Sequence, residues 1–152
     1  MPTITRLVAM VLFGMMAFSL VTQFHLLDED PPRSQASNFL FAVVAGLVGW
    51  RFVGLRIKRD FVAGFTIVVQ GYVATLLISL TVAGMYDIFA NGYRLRYRSF
   101  GEAFTGSMAN AFEVLQQMMD IPFLSWVLGS ALLCSFLLVL IYRTAETRRI
   151  SG

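Results

Sequence analysis

The sequence predicts an all-α membrane protein of four transmembrane helices, with an amphipathic helix at the outer surface before the fourth. Of its 152 residues, 57% are hydrophobic and 14% charged, an apolar share above that of a globular domain. Four runs are each long enough to cross a hydrocarbon core about 30 Å thick, which takes roughly 17 to 25 helical residues. Backbone amides in lipid must be paired within their own segment, and these runs are continuous rather than alternating, so helices are expected rather than a barrel. No repeat or linker marks a second domain, and residues 1–152 are read as one integral membrane domain.

The first span, about 7–27, has no formal charge. A cleaved signal peptide is the rival reading, from the basic start Met1 to Arg6 and the small-residue pattern Ala17-Phe18-Ser19. The apolar run continues through Leu27, beyond a normal signal core, so a membrane anchor is expected. Asp28-Glu29-Asp30-Pro31-Pro32 forms an acidic, stiff outer loop, and Ser34 to Asn38 supplies cap candidates for the next helix. The second span, about 39–55, carries one charge, Arg51, near an end where its stem can lie along apolar surface. The third, about 61–86, is charge-free and long enough to tilt.

Asn91-Gly92 then reads as a turn, followed by the basic and aromatic run Tyr93, Arg94, Arg96, Tyr97 and Arg98. Over about 100–119 the residues Phe104, Met108, Ala111, Phe112, Leu115 and Met119 recur at three- and four-residue spacing. Glu102, Asn110, Glu113, Gln116 and Gln117 fill other positions, which predicts an amphipathic helix along the membrane surface. Asp120-Ile121-Pro122 breaks it and opens the fourth span, about 122–142, because proline fits the first turn of a helix.

Charge orients the four spans. With both termini cytoplasmic, the inner segments hold eight basic and two acidic residues, and the outer ones four basic and seven acidic. Cytoplasmic loops retain Lys and Arg, so this topology is expected over its inverse. The pI near 9.4 would suit a nucleic acid. The positive charge is divided among membrane-flanking loops, however, so topology accounts for it and no nucleic-acid partner is expected.

Small residues at helical spacing predict close helix contacts: Ala42 with Gly46, Ala45 with Gly49, Gly71 with Thr75 and Ser79, and Ser125 with Gly129. Trp50, Arg51, Arg56 and Trp126, the run Tyr93 to Arg98, and Phe104, Met108, Phe112 and Leu115 are read as membrane-interface or partner-contacting positions. Chemistry is sparse. Cys134 is the only cysteine and lies mid-span, which rules out a disulfide within the chain and a dithiol site. His25 is the only histidine, whereas metal sites take three or four ligands, so no metal or cofactor is expected. Binding of a pigment or haem at His25 is a minor alternative. No acidic residue occupies a span's centre and no catalytic motif is present, so an enzyme is not expected.

Met1-Pro2-Thr3 with Arg6-Leu7-Val8-Ala9, the block Ala45-Gly46-Leu47-Val48-Gly49-Trp50-Arg51 with Gly54 and Arg56, and Arg94 to Tyr97 followed by Glu102-Ala103 run in order through most of the chain. In these the chain resembles the TrgA family of small alphaproteobacterial membrane proteins. That resemblance implies a bacterial inner-membrane location and an association with tellurite tolerance, with no catalytic residues to carry over. Two functions stand as expectations. One is a non-catalytic accessory or scaffolding subunit of a respiratory or photosynthetic membrane complex, acting by lateral helix contacts with lipid and other membrane subunits. The other is an autonomous homo-oligomeric tellurite-resistance or oxyanion-transport factor, for which Arg51 and Arg94 are the residues to test.

Overall fold

The computed structural model describes residues 3–26, 36–93 and 100–150. Among them every regular element is helical: α1 Thr3–Leu26, α2 Ala36–Val48, a π-helical segment Gly49–Val53, a last turn α3 Gly54–Arg56, α4 Phe61–Tyr93, α5 Phe100–Met118 and α6 Ile121–Ile150. Four stretches are long and apolar enough to cross a membrane, Ile4–Leu26, Asn38–Arg56, Phe61–Tyr86 and Ile121–Ala145. The chain is an all-α, multi-pass membrane protein, and an amphipathic helix, α5, precedes the fourth of these stretches.

Local chemistry sets several ends. Asp60 caps α4: its Oδ2 accepts from the Ala63 N–H at 3.4 Å while its carbonyl accepts the first helical bond, from Gly64 N–H at 2.9 Å. The last turn of α5 tightens to three-residue bonds, Met119 N–H to Gln116 O and Asp120 N–H to Gln117 O. α6 starts at once, with Leu124 N–H donating to Asp120 O at 2.9 Å and Pro122 in the first turn, where no amide is needed.

Two expectations are corrected. Asn91 and Gly92 are helical, inside α4. Each of these weak helix formers costs no more than about 1 kcal/mol, too little to stop a cooperatively extended helix. Beyond the apolar run of the fourth span, α6 continues through polar residues to Ile150. Asn38 is no cap: it lies within α2, where its Nδ2 donates across to Thr22 Oγ1 of α1 at 3.1 Å.

The four membrane-length stretches form a ring in the order α1, α2, α4, α6, each packed on the next and α6 on α1. Successive spans alternate in direction, so all four neighbouring pairs are antiparallel, and α1 faces α4 across the centre. One end of the bundle carries the start of α1, the turn from α3 to α4 and the end of α6. It is closely packed around Ala9, Phe13, Val53, Ile57, Val68, Cys134, Leu138 and Val139. Arg143 closes this terminal end by donating from Nε to Arg59 O at 3.0 Å.

The π segment explains how α1 and α2 approach so closely here. An α-helix returns to one face after three or four residues, whereas the π turn delays the return to the fifth, closed by Gly54 N–H bonding Gly49 O. Gly49 and Gly54 thereby both meet α1. A Cβ on Gly49 would lie 2.5 Å from Ala9 O, and one on Gly54 would lie 2.8 Å from Arg6 Cα. Val53, displaced from that seam, is fully buried in the core.

Candidate functional site

Above this packed end the helices separate around a cavity of about 210 Å³. Phe13 of α1 and Tyr72 of α4 form its floor, meeting edge to face with ring centroids 5.3 Å apart. Ala17 and Val21 of α1, Phe41 and Ala45 of α2, Leu76 of α4 and Val127 of α6 contribute to its walls. Met118, at the end of α5, and Phe123 of α6 line its far end. The space exists because small Ala17 and Ala45 follow bulky Phe13 along the wall, while at the terminal end Gly49 and Gly71 let backbone and side chains close in.

The wall offers two hydroxyls, and both are engaged. Tyr72 Oη donates to Ser130 Oγ at 3.3 Å, Ser130 donates in turn to Val127 O at 2.8 Å, and Thr75 Oγ1 donates to Gly71 O at 2.8 Å. The cavity therefore presents hydrocarbon. Val73 and Leu124, which also line it, are exposed at the outside of the bundle, so it communicates with the surrounding medium.

α5 forms the second feature. It packs on α4, where a Cβ on Gly84 would lie 2.8 Å from Ser107 Oγ. Its buried and half-buried line is Ser107, Ala111, Val114 and Met118. The bulky residues Phe104, Met108, Phe112 and Met119 occupy a neighbouring stripe about a quarter-turn away and are exposed, Phe112 by 74%. α5 thus divides its apolar surface, one strip on α4 and one uncovered.

No family model, curated protein or solved structure matches the chain.

The small-residue positions divide likewise. Ala45, Gly46, Gly49, Gly71, Thr75 and Ser79 are buried, and Ala42 is half-buried with its carbonyl 3.3 Å from where a Cβ on Gly14 would lie. A Cβ on Gly71 would meet Val53 Cγ2 at 2.6 Å. Ser79 Oγ has no hydrogen-bond partner. Ser125 and Gly129 correct the expectation for α6. Both are exposed, nothing lies within 4 Å of a Cβ at Gly129, and Ser125 bonds its own helix at Pro122 O. Four-residue spacing says that two residues share a face, not which face; α6 buries Phe123, Ala131, Cys134 and Leu138 on the opposite side.

Of the interface positions, Arg51, Arg56 and Trp126 are exposed, and Trp50 and Leu115 are half-buried. The Arg56 guanidinium carbon sits 4.2 Å over the Phe52 ring, a cation–π contact within one helical turn. Tyr93 ends α4, while Arg94, Arg96, Tyr97 and Arg98 lie outside the described residues, as do Asp28, Glu29 and Asp30. His25 is half-buried beside Phe24, with ring centroids 6.1 Å apart. Among the described residues no three His, Cys, Asp or Glu side chains gather as a metal site, and Cys134 is a free thiol buried in the core.

The cavity residues were not legible as a site. Phe13, Ala17, Phe41, Tyr72, Leu76 and Val127 read as ordinary members of apolar runs, because a cavity is a mismatch of side-chain volumes across several helices. No single helix's pattern carries it.

Proposed function

We propose that this protein is a non-catalytic accessory or scaffolding subunit of a respiratory or photosynthetic complex in a bacterial inner membrane, acting by lateral helix contacts. The observation that carries this reading is the uncovered stripe Phe104, Met108, Phe112 and Met119 on a helix that already has a separate packing line against α4. Large aromatic and methionine side chains are enriched in the buried centres of protein interfaces. The resemblance to the TrgA family supports the inner-membrane location, and the distribution of Lys and Arg supports cytoplasmic termini. An oxyanion-transport role finds less support: the cavity wall is apolar, and the exposed cations Arg51, Arg56, Lys58 and Arg59 belong to the π segment and the turn at the terminal end.

The test is extraction of the tagged chain from its native membrane in mild detergent, beside the double variant Phe104→Ser, Phe112→Ser. A partner complex retained at fixed stoichiometry by the parent chain, lost from the variant, and impaired in assembly when the chain is deleted is the expected result. A parent complex that assembles and turns over normally without this chain would overturn the proposal.

A further inference from the structure

We propose that the cavity between α1, α2, α4 and α6 is a binding site for one acyl chain of a membrane phospholipid. Most of its lining lies well inside membrane-length stretches, Phe13 to Val21 within Ile4–Leu26 and Tyr72 to Leu76 within Phe61–Tyr86, and it ends at Met118 and Phe123 beside the start of the fourth stretch. The two wall hydroxyls are bonded within the protein, which leaves no polar group to select water or a headgroup. The cavity runs about 12 Å along α1, from Phe13 to Val21 at 1.5 Å per residue, and its 210 Å³ exceeds the roughly 150 Å³ of an apolar cavity that takes up benzene.

The occupant is a chain rather than a protein surface, because walls on four helices admit a narrow chain end-on but no helix face. Val73 and Leu124 mark the side open to lipid, flanked by the exposed Leu77 and Leu128. The phospholipid is the bilayer's own solvent, present at the opening at high local concentration, so occupancy requires only modest affinity. The site would hold the chain among the helices and leave the headgroup outside the bundle.

Full-length protein in phosphatidylglycerol vesicles, doped with phosphatidylglycerol carrying a diazirine on one acyl chain, is photolysed and its labelled residues located by peptide mass spectrometry. Label is expected on inward-facing Val21 and Phe123 as well as on outward-facing Leu77 and Leu128. Ala17→Leu, which fills the wall, should lower the inward label at least tenfold and leave the outward label unchanged. If that variant loses the outward pattern as well, Ala45→Val takes its place. Label confined to outward residues, or inward label unchanged in a filled variant with normal outward label, would overturn the proposal. Equimolar ubiquinone-10 is added as a competitor: inward label that persists supports the phospholipid, and its selective loss reassigns the site to an isoprenoid tail and overturns the proposal.

Discussion

Gly49 and Gly129 look alike in the sequence, each a glycine in an apolar run four residues from another small residue, yet they face opposite surroundings. A methyl group on Gly49 would stand 2.5 Å from Ala9 O and 2.9 Å from Phe13 Cβ, neither of which is the tip of a flexible side chain. Gly49→Ala must therefore push α1 from the π segment, at a cost of about 1–3 kcal/mol. Gly129→Ala meets nothing within 4 Å and gains helix propensity, up to about 1 kcal/mol. Thermal unfolding of both variants in one detergent is expected to move in opposite directions; equal shifts would refute the assigned contacts. Gly71 belongs with Gly49, since Val53 and the Phe13 ring occupy the space beside it. Small-residue spacing was enough to single out Gly46, Gly49 and Gly71 from sequence, but it selected Ser125 and Gly129 equally, because a helical repeat has no knowledge of where the neighbouring helices stand.

Among the elements, α5 shows the same ambiguity on a larger scale. Its period marks an apolar half-surface, and the structure divides that half-surface between α4 and the exterior. Ser107 is buried at the contact with Gly84, so Ser107→Leu should release α5 from α4. Phe112→Ser, on the uncovered strip, should leave the isolated protein's stability within about 0.5 kcal/mol. Limited proteolysis of the purified chain tests this: faster cleavage within α5 is expected for Ser107→Leu only, and equal cleavage of both variants would show that α5 packs through its bulky residues instead. The π segment was hidden for a different reason. Gly-Trp-Arg-Phe-Val reads as the end of an ordinary apolar helix, and the widened turn becomes favourable through the contacts that Gly49 and Gly54 make with α1.

Across the whole molecule, a ring of alternating helices closes tightly at its terminal end and opens at the other. The proposed orientation, with both termini cytoplasmic, rests on charge: the terminal end carries Arg51, Arg56, Lys58 and Arg59 at the exposed surface. With Cys134 replaced by alanine to remove the one native thiol, Lys58→Cys is expected to react with a membrane-impermeant maleimide only after inner-membrane permeabilisation, and Gln116→Cys before it. The reverse order would invert the topology.

Membrane residence, four spans and the positions of α5 and the fourth span were readable from sequence alone, since each depends on run length and composition within one continuous segment. The helix order around the ring, the π turn at Gly49–Val53, the outward placement of Ser125 and Gly129, and the cavity above Phe13 and Tyr72 were decided by the tertiary structure. The physical reason is that lipid chains are as apolar as leucine, so hydropathy tells a helix to enter the membrane but not which face meets another helix. That choice rests on the fit of particular volumes between segments distant in the chain.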